Sequence, residues 1–156
     1  MRKDHGLTLV ELMVVLGIIA ILCGIAIPGW IGWRGKRQLE VAVNEVQTAI
    51  SLAKTTAVKR STPATILFNT PAHGITVFVD NNGNGAIDAG DLVVRTISFA
   101  DSVSLSTLPA LTRLSFDRRG FTSNASAVDI TLARTQDPRR PRIEVTVTGS
   151  SRINWN

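Results

Sequence analysis

Oxygen-bearing side chains recur at short intervals in one stretch of this 156-residue chain. Asp80, Asn82, Asn84, Asp88 and Asp91 stand at positions 1, 3, 5, 9 and 12 of a segment whose sixth residue is Gly85. Calcium is held by oxygens from loops of this layout, with glycine at the sharp bend. Position 12 is Asp, whose reach is shorter than that of the Glu such loops carry. The same residue types also build an Asx- and Gly-rich hairpin turn, which uses positive φ angles and local hydrogen bonds without an ion. The residues fit either reading.

A second group is basic. Arg134, Arg139, Arg140, Arg142 and Arg152 precede Trp155. Guanidinium forks hold phosphate through paired hydrogen bonds and an indole stacks on a base, so Arg139, Arg140, Arg142 and Arg152 form a candidate DNA site. A solvated basic loop around Pro138 and Pro141 is the other reading. The formal charge of +5 is compatible with anionic partners but selects none of them. Catalysis has no recognisable machinery: His5 and His73 stand apart, and no nucleophile–base pair or phosphate loop is present. The expectation is a non-enzyme with no cofactor other than the calcium considered above. Cys23 is the only cysteine, which excludes an internal disulfide and C-x-x-C chemistry.

The third feature is Glu11, a carboxylate inside an apolar run. Residues 7–27 carry only Thr8 and Glu11 as polar side chains. As a helix they span about 30 Å, the thickness of a bilayer's hydrocarbon core. The run is too long for a secretory signal, and Trp30, Trp33 and Arg34 follow it as an interfacial anchor would. A carboxylate at helix depth costs about 2.5–3.5 kcal/mol on insertion scales. Glu11 either snorkels to the near surface or pairs with a positive charge from another chain. Counting Arg2 and Lys3 against Arg34, Lys36 and Arg37 favours the opposite orientation from the one adopted below.

Lys3-Asp4-His5-Gly6 followed by Leu7-Thr8-Leu9-Val10-Glu11 resembles the class III signal of type IV pilins and type II secretion pseudopilins. The resemblance implies cleavage by prepilin peptidase between Gly6 and Leu7, N-methylation of Leu7, and an assembly role for Glu11. There the new α-amino group of one subunit would neutralise Glu11 of its neighbour. Pro28 falls where that family commonly kinks its helix, while Leu7 stands where phenylalanine is usual. It further implies a cell inner-membrane protein with one transmembrane helix and a periplasmic domain. Its partners would be other pilin subunits and the inner-membrane assembly machinery.

Beyond Pro28 the pattern becomes amphipathic. Leu39, Val43, Val46, Ile50, Ala53 and Ala57 recur at alternating spacings of four and three, one stripe of a helix that stops near Arg60-Ser61-Thr62-Pro63. Six strands are expected at 64–68, 75–79, 92–99, 114–116, 128–132 and 143–148. One long helix followed only by strands makes an α+β fold, with an antiparallel sheet packed on the helix. The division expected is a leader at 1–6, a transmembrane helix at 7–27, its amphipathic continuation at 28–61, and a β-rich domain at 62–156. The residues 49–60, 77–85 and Phe116-Asp117-Arg118-Arg119-Gly120 are similar to landmarks of the GspH/FimT group of minor pilins. Membership there implies a subunit of a type II secretion pseudopilus or a type IV pilus, serving protein transport or pilus biogenesis. Some FimT-like pilins bind DNA through a C-terminal Gly-Arg-x-Arg motif. Gly149-Ser150-Ser151-Arg152 matches it only in part, leaving a DNA-binding pilin as the alternative.

Overall fold

A computed structural model of the chain describes residues 8–69, 74–108, 112–122, 128–134 and 137–155, with the side chains of 26–32, 69, 108, 128 and 129 outside the description. Among the described residues one helix and eight strands run in the order α1 (Leu9–Arg60), β1 (Ala64–Asn69), β2 (Gly74–Val79), β3 (Leu92–Ser98), β4 (Val103–Leu108), β5 (Arg113–Phe116), β6 (Val128–Arg134), β7 (Arg142–Val145) and β8 (Ser151–Asn154). Two compact units divide the chain between Lys36 and Arg37.

In the first unit α1 begins at a cap. Thr8 Oγ1 accepts the N–H of Glu11 at 3.2 Å, the arrangement expected of Thr-x-x-Glu at a helix start. Every large apolar side chain from Leu9 to Ile25 is exposed, from 46% at Val15 to 74% at Ile25.

In the second unit the helical stripe is the spine of the core. Leu39, Val43, Val46, Ile50, Ala53 and Ala57 are fully buried, joined by Ala42 and Ala49. The helix ends in a Schellman arrangement. Thr62 N–H reaches Ala57 O and Ser61 N–H reaches Val58 O, both at 3.3 Å, while Ser61 takes φ +51°. Pro63 then lies beyond the cap, where the helix cannot continue.

The strands form two four-stranded antiparallel sheets instead of the single sheet expected, β3-β2-β1-β5 and β4-β6-β7-β8. Both turn one face to the same core: Ile66, Val77, Leu114 and Phe116 come from the first, Val103, Leu132, Ile143 and Val145 from the second. Alternation along each strand produces this, since residues two apart share a face. β4 and β8 are additional to the expected six. β7 stops at Val145, before the expected end at 148, because residues 146–149 turn the chain. Gly149 N–H donates to Thr146 O at 2.8 Å, with Gly149 at φ +71°.

Candidate functional site

The segment 80–91 is the connection between β2 and β3, which pair from Val79↔Leu92. Its oxygens face inward to the loop itself. Asp80 is 2% exposed. Its Oδ1 accepts from the N–H groups of Gly83 and Asn84, and its Oδ2 from that of Gly85 at 2.7 Å. Asp91 accepts from the N–H groups of Asn81 and Asp88. Asn82 and Asn84 direct their side-chain carbonyls to backbone N–H groups and their amide nitrogens to Asp88 Oδ2. Those two amides hold the Asp88 carboxyl below its ordinary value of 3.8.

The carboxylates of Asp80 and Asp91 accept backbone N–H groups of the loop, while the side chains of Asn82 and Asn84 meet at Asp88. No three carboxylate, His or Cys groups converge on a metal position among the described residues. With its oxygens bonded in this way the segment has the arrangement of an Asx-rich turn. Gly83 and Gly85, both at φ +73°, supply the backbone this turn requires.

Sequence reasoning missed the partners of this loop. Arg113 donates from Nη1 to Asn84 O at 3.0 Å and lies over Gly85, where a Cβ would sit 2.7 Å from its side chain. Thr65 and Ser115 share a hydrogen bond of 2.8 Å beside Asp80. The only available signal was two hydroxyl residues at neighbouring strand positions, which carries little.

The four arginines lie among carboxylates, at the 137–141 connection and on β7 and β8. Arg139 donates to Asp137 through Nε and Nη2, the latter at 2.9 Å, and to Glu40 of α1 through Nη1 at 3.4 Å. Arg140 donates to the carbonyls of Asp137 and Arg139. Arg142 lies in β7 opposite Asn154, and Arg152 in β8 opposite Glu144. Directly paired residues share a face, so the arginines of that face are interleaved with a carboxylate. Asn154 is bonded to the same Glu144 at 2.8 Å. Phosphate would meet carboxylates around these guanidiniums instead of a continuous basic track.

Gly6 and Leu7 lie outside the described residues. Glu11 is described, exposed among the exposed apolar side chains of α1. Among the described residues no helix is long and apolar enough to cross a membrane. The apolar run 7–27 extends past the described side chains at both ends.

The Phe116–Gly120 landmark proves to be a turn. Asp117 Oδ1 accepts the N–H groups of Arg119 at 2.8 Å and Phe121 at 2.9 Å, and Gly120 adopts φ +82°. Asp at the start and Gly at the left-handed position are what the bend requires.

Comparison with known proteins places these features together. The family model described as type II transport protein GspH matches residues 42–149, and that of the prokaryotic N-terminal methylation motif matches residues 1–27. Pilin-like protein PilA1 of Thermus thermophilus is 28% identical over 96% of this chain and 97% of its own length. The crystal structure of the type IV minor pilin FimU of Pseudomonas aeruginosa superposes with a TM-score of 0.62 at 13% identity, covering 76% of this chain and 90% of that one. The minor pseudopilin EpsH from the type 2 secretion system of Vibrio cholerae gives 0.57 at 12% identity, over 75% and 96%. Both structural likenesses are of fold.

Proposed function

Because the chain belongs to the GspH family, we propose that it is a minor pilin-type subunit, built into a type II secretion pseudopilus or a type IV pilus. The observation that carries this reading is the apolar surface of α1 from Leu9 to Ile25, exposed along its length and broken by Glu11. Such a surface in water is costly, and lipid or other apolar helices remove it from water. The role is structural, and no reaction is assigned to the chain.

In this reading prepilin peptidase cuts after Gly6 and Leu7 becomes the methylated N-terminus. Residues 7–27 span the inner membrane once, with the β-rich domain on the periplasmic side. Extraction into the filament exchanges lipid contacts for contacts with neighbouring helices. Gly17 and Gly24 have open space where a Cβ would sit, so another helix can approach closely there. The α-amino group of Leu7 on one subunit then neutralises Glu11 of the next, an attraction strengthened by the low dielectric of an apolar bundle.

The test is mass spectrometry of sheared filaments from a host expressing the full chain. Recovery of a chain that starts at N-methylated Leu7 in the filament fraction is the expected result. A chain that still starts at Met1 and stays in the membrane fraction overturns the reading.

A further inference from the structure

Three segments meet near the C-terminal end of α1. Val58 of α1, Phe121 of the β5–β6 connection and Val147 of the β7–β8 turn are 47%, 44% and 43% exposed. Contacts of these residues and their chain neighbours hold the three segments together. A Cβ on Gly120 would sit 3.2 Å from the Val58 side chain. Thr122 N–H donates to Val147 O at 2.9 Å. The Lys54 amine donates to Thr148 O at 3.0 Å, with its stem against Gly120 and Gly149. Single exposed apolar residues are ordinary, whereas a contiguous group rimmed by polar side chains marks an interaction surface.

The rim has one sign. Lys59 and Arg60 follow Val58, and Arg118 and Arg119 precede Gly120. All four are exposed, and none has an ion-pair partner among the described residues. Asp117, the one carboxylate of the turn, is engaged by the N–H groups of Arg119 and Phe121.

We propose that this surface docks a different subunit of the same filament, one presenting an apolar side chain ringed by carboxylates. The inference rests on the filament reading above and names the chemistry of a neighbour. Charge selects the occupant. The chain carries +5, and +4 once Arg2, Lys3 and Asp4 leave with residues 1–6, so a second copy brings more positive charge to this rim, whereas an acidic subunit is attracted. Of the three residues at the centre only Phe121 offers a base a ring to stack on, whereas Val58 and Val147 are aliphatic and suit a protein knob. An apolar centre with a charged rim is also how protein interfaces divide their work: the centre holds the complex and the rim guides the encounter.

The experiment places the photo-cross-linker p-benzoylphenylalanine at position 121 of the full chain in its native host, followed by irradiation and shearing of filaments. The expected product joins this chain to another pilin-type subunit through a peptide that carries Asp or Glu beside an apolar residue. Combined Arg118→Glu and Arg119→Glu substitutions should lower its yield about tenfold, the effect of 1.4 kcal/mol of lost attraction. Thermal unfolding and Leu7 processing of that variant should be unchanged, since both arginines are exposed. Val147→Asp supplies an independent second variant with the same expected loss. Cross-links to a second copy or to nucleic acid overturn the proposal, as does a yield indifferent to charge reversal. Filaments that contain the chain but give no cross-link at 121 also overturn it. Filaments lacking the chain overturn the filament reading itself, which separates the two failures.

Discussion

Arg139 stacks on Trp155, its guanidinium carbon 5.4 Å from the centroid of the indole ring. The same group binds Asp137 and reaches Glu40, so one side chain ties the residue after β8 to the 137–141 connection and to α1. The hydrogen bond to Asp137 is the main cause of its raised pKa, and the guanidinium, cationic at any working pH, meets both carboxylates as a fixed charge. A residue whose type suggested phosphate binding is an internal clamp.

Replacing Arg139 with Ala should lower unfolding stability by about 2 kcal/mol, the scale of charge-assisted hydrogen bonds lost to a largely buried Asp137. Arg139→Lys should recover little, because a point charge cannot serve two carboxylates and a ring face together. Urea denaturation of the three proteins checks both statements.

Ser61 closes α1 in a left-handed conformation that suits glycine. Ser61→Gly should therefore raise stability by about 1 kcal/mol by removing the strain of a Cβ at positive φ. A shift of the melting temperature upward is the expected outcome; no gain would mean that the serine side chain has an offsetting bond.

Gly149 and Gly83 both have positive φ, yet their surroundings differ. A Cβ at Gly149 would lie 2.3 Å from the Gly120 carbonyl oxygen, while at Gly83 it would meet nothing within 4 Å. Gly83→Ala should cost about 1–2 kcal/mol from backbone strain alone. Gly149→Ala should cost clearly more, since a backbone turn has to move. Denaturation midpoints of the two variants, measured side by side, decide it.

Acid should loosen the 80–91 turn through Asp88. Its pKa is lowered on folding, so its contribution is present above the ordinary value of 3.8 and is lost as pH falls through the lowered folded value. The side-chain amide resonances of Asn82 and Asn84 should report this in an acid titration. Millimolar calcium should leave them, and the melting temperature, unmoved, because the loop oxygens already accept N–H bonds. A calcium-induced shift of either would contradict the turn geometry.

In the proposed filament Glu11 would have two separable roles. Its position three residues after Thr8 suits the helix cap, which Gln preserves, whereas pairing with a neighbour's α-amino group requires the charge. Glu11→Gln should leave membrane insertion intact and still impair filament incorporation, as Glu11→Ala should. Membrane fractionation and cross-linking within sheared filaments measure the two effects. Normal incorporation of the Gln variant would show that capping, not charge, is what the assembly uses.

Much of the fold was legible because it rests on periodicity. The spacing of Leu39 through Ala57 marked the buried face of α1, and Thr62-Pro63 marked its end. The six strands rich in apolar or β-branched residues were visible for the same reason. β4 and β8 were not: their Ser, Arg and Asn residues have weak strand preference, and register with β6 and β7 decides them. With them went the division into two sheets. The arginines were misleading in a related way, since composition displays a charge and hides its partner. Arg139 meets Glu40 across 99 positions of sequence. The turn at 117–121 was recognisable as a landmark, but its packing against Lys54 and Gly149 depends on chain segments far apart in sequence.

β1 lies between β2, its successor, and β5, whose Ser115 bonds to Thr65 across 50 positions of sequence. The first sheet cannot close on its far side until residues 113–116 are available. While the chain is made from its N-terminal end, the stripe from Leu39 to Ala57 therefore waits with only part of its cover. Local β1–β2 and β2–β3 pairing can form early, and the long-range β5 partner has to follow. During that interval an apolar helix and an open strand edge are exposed together, a species prone to misassociation. The topology makes the order of synthesis part of this subunit's folding problem.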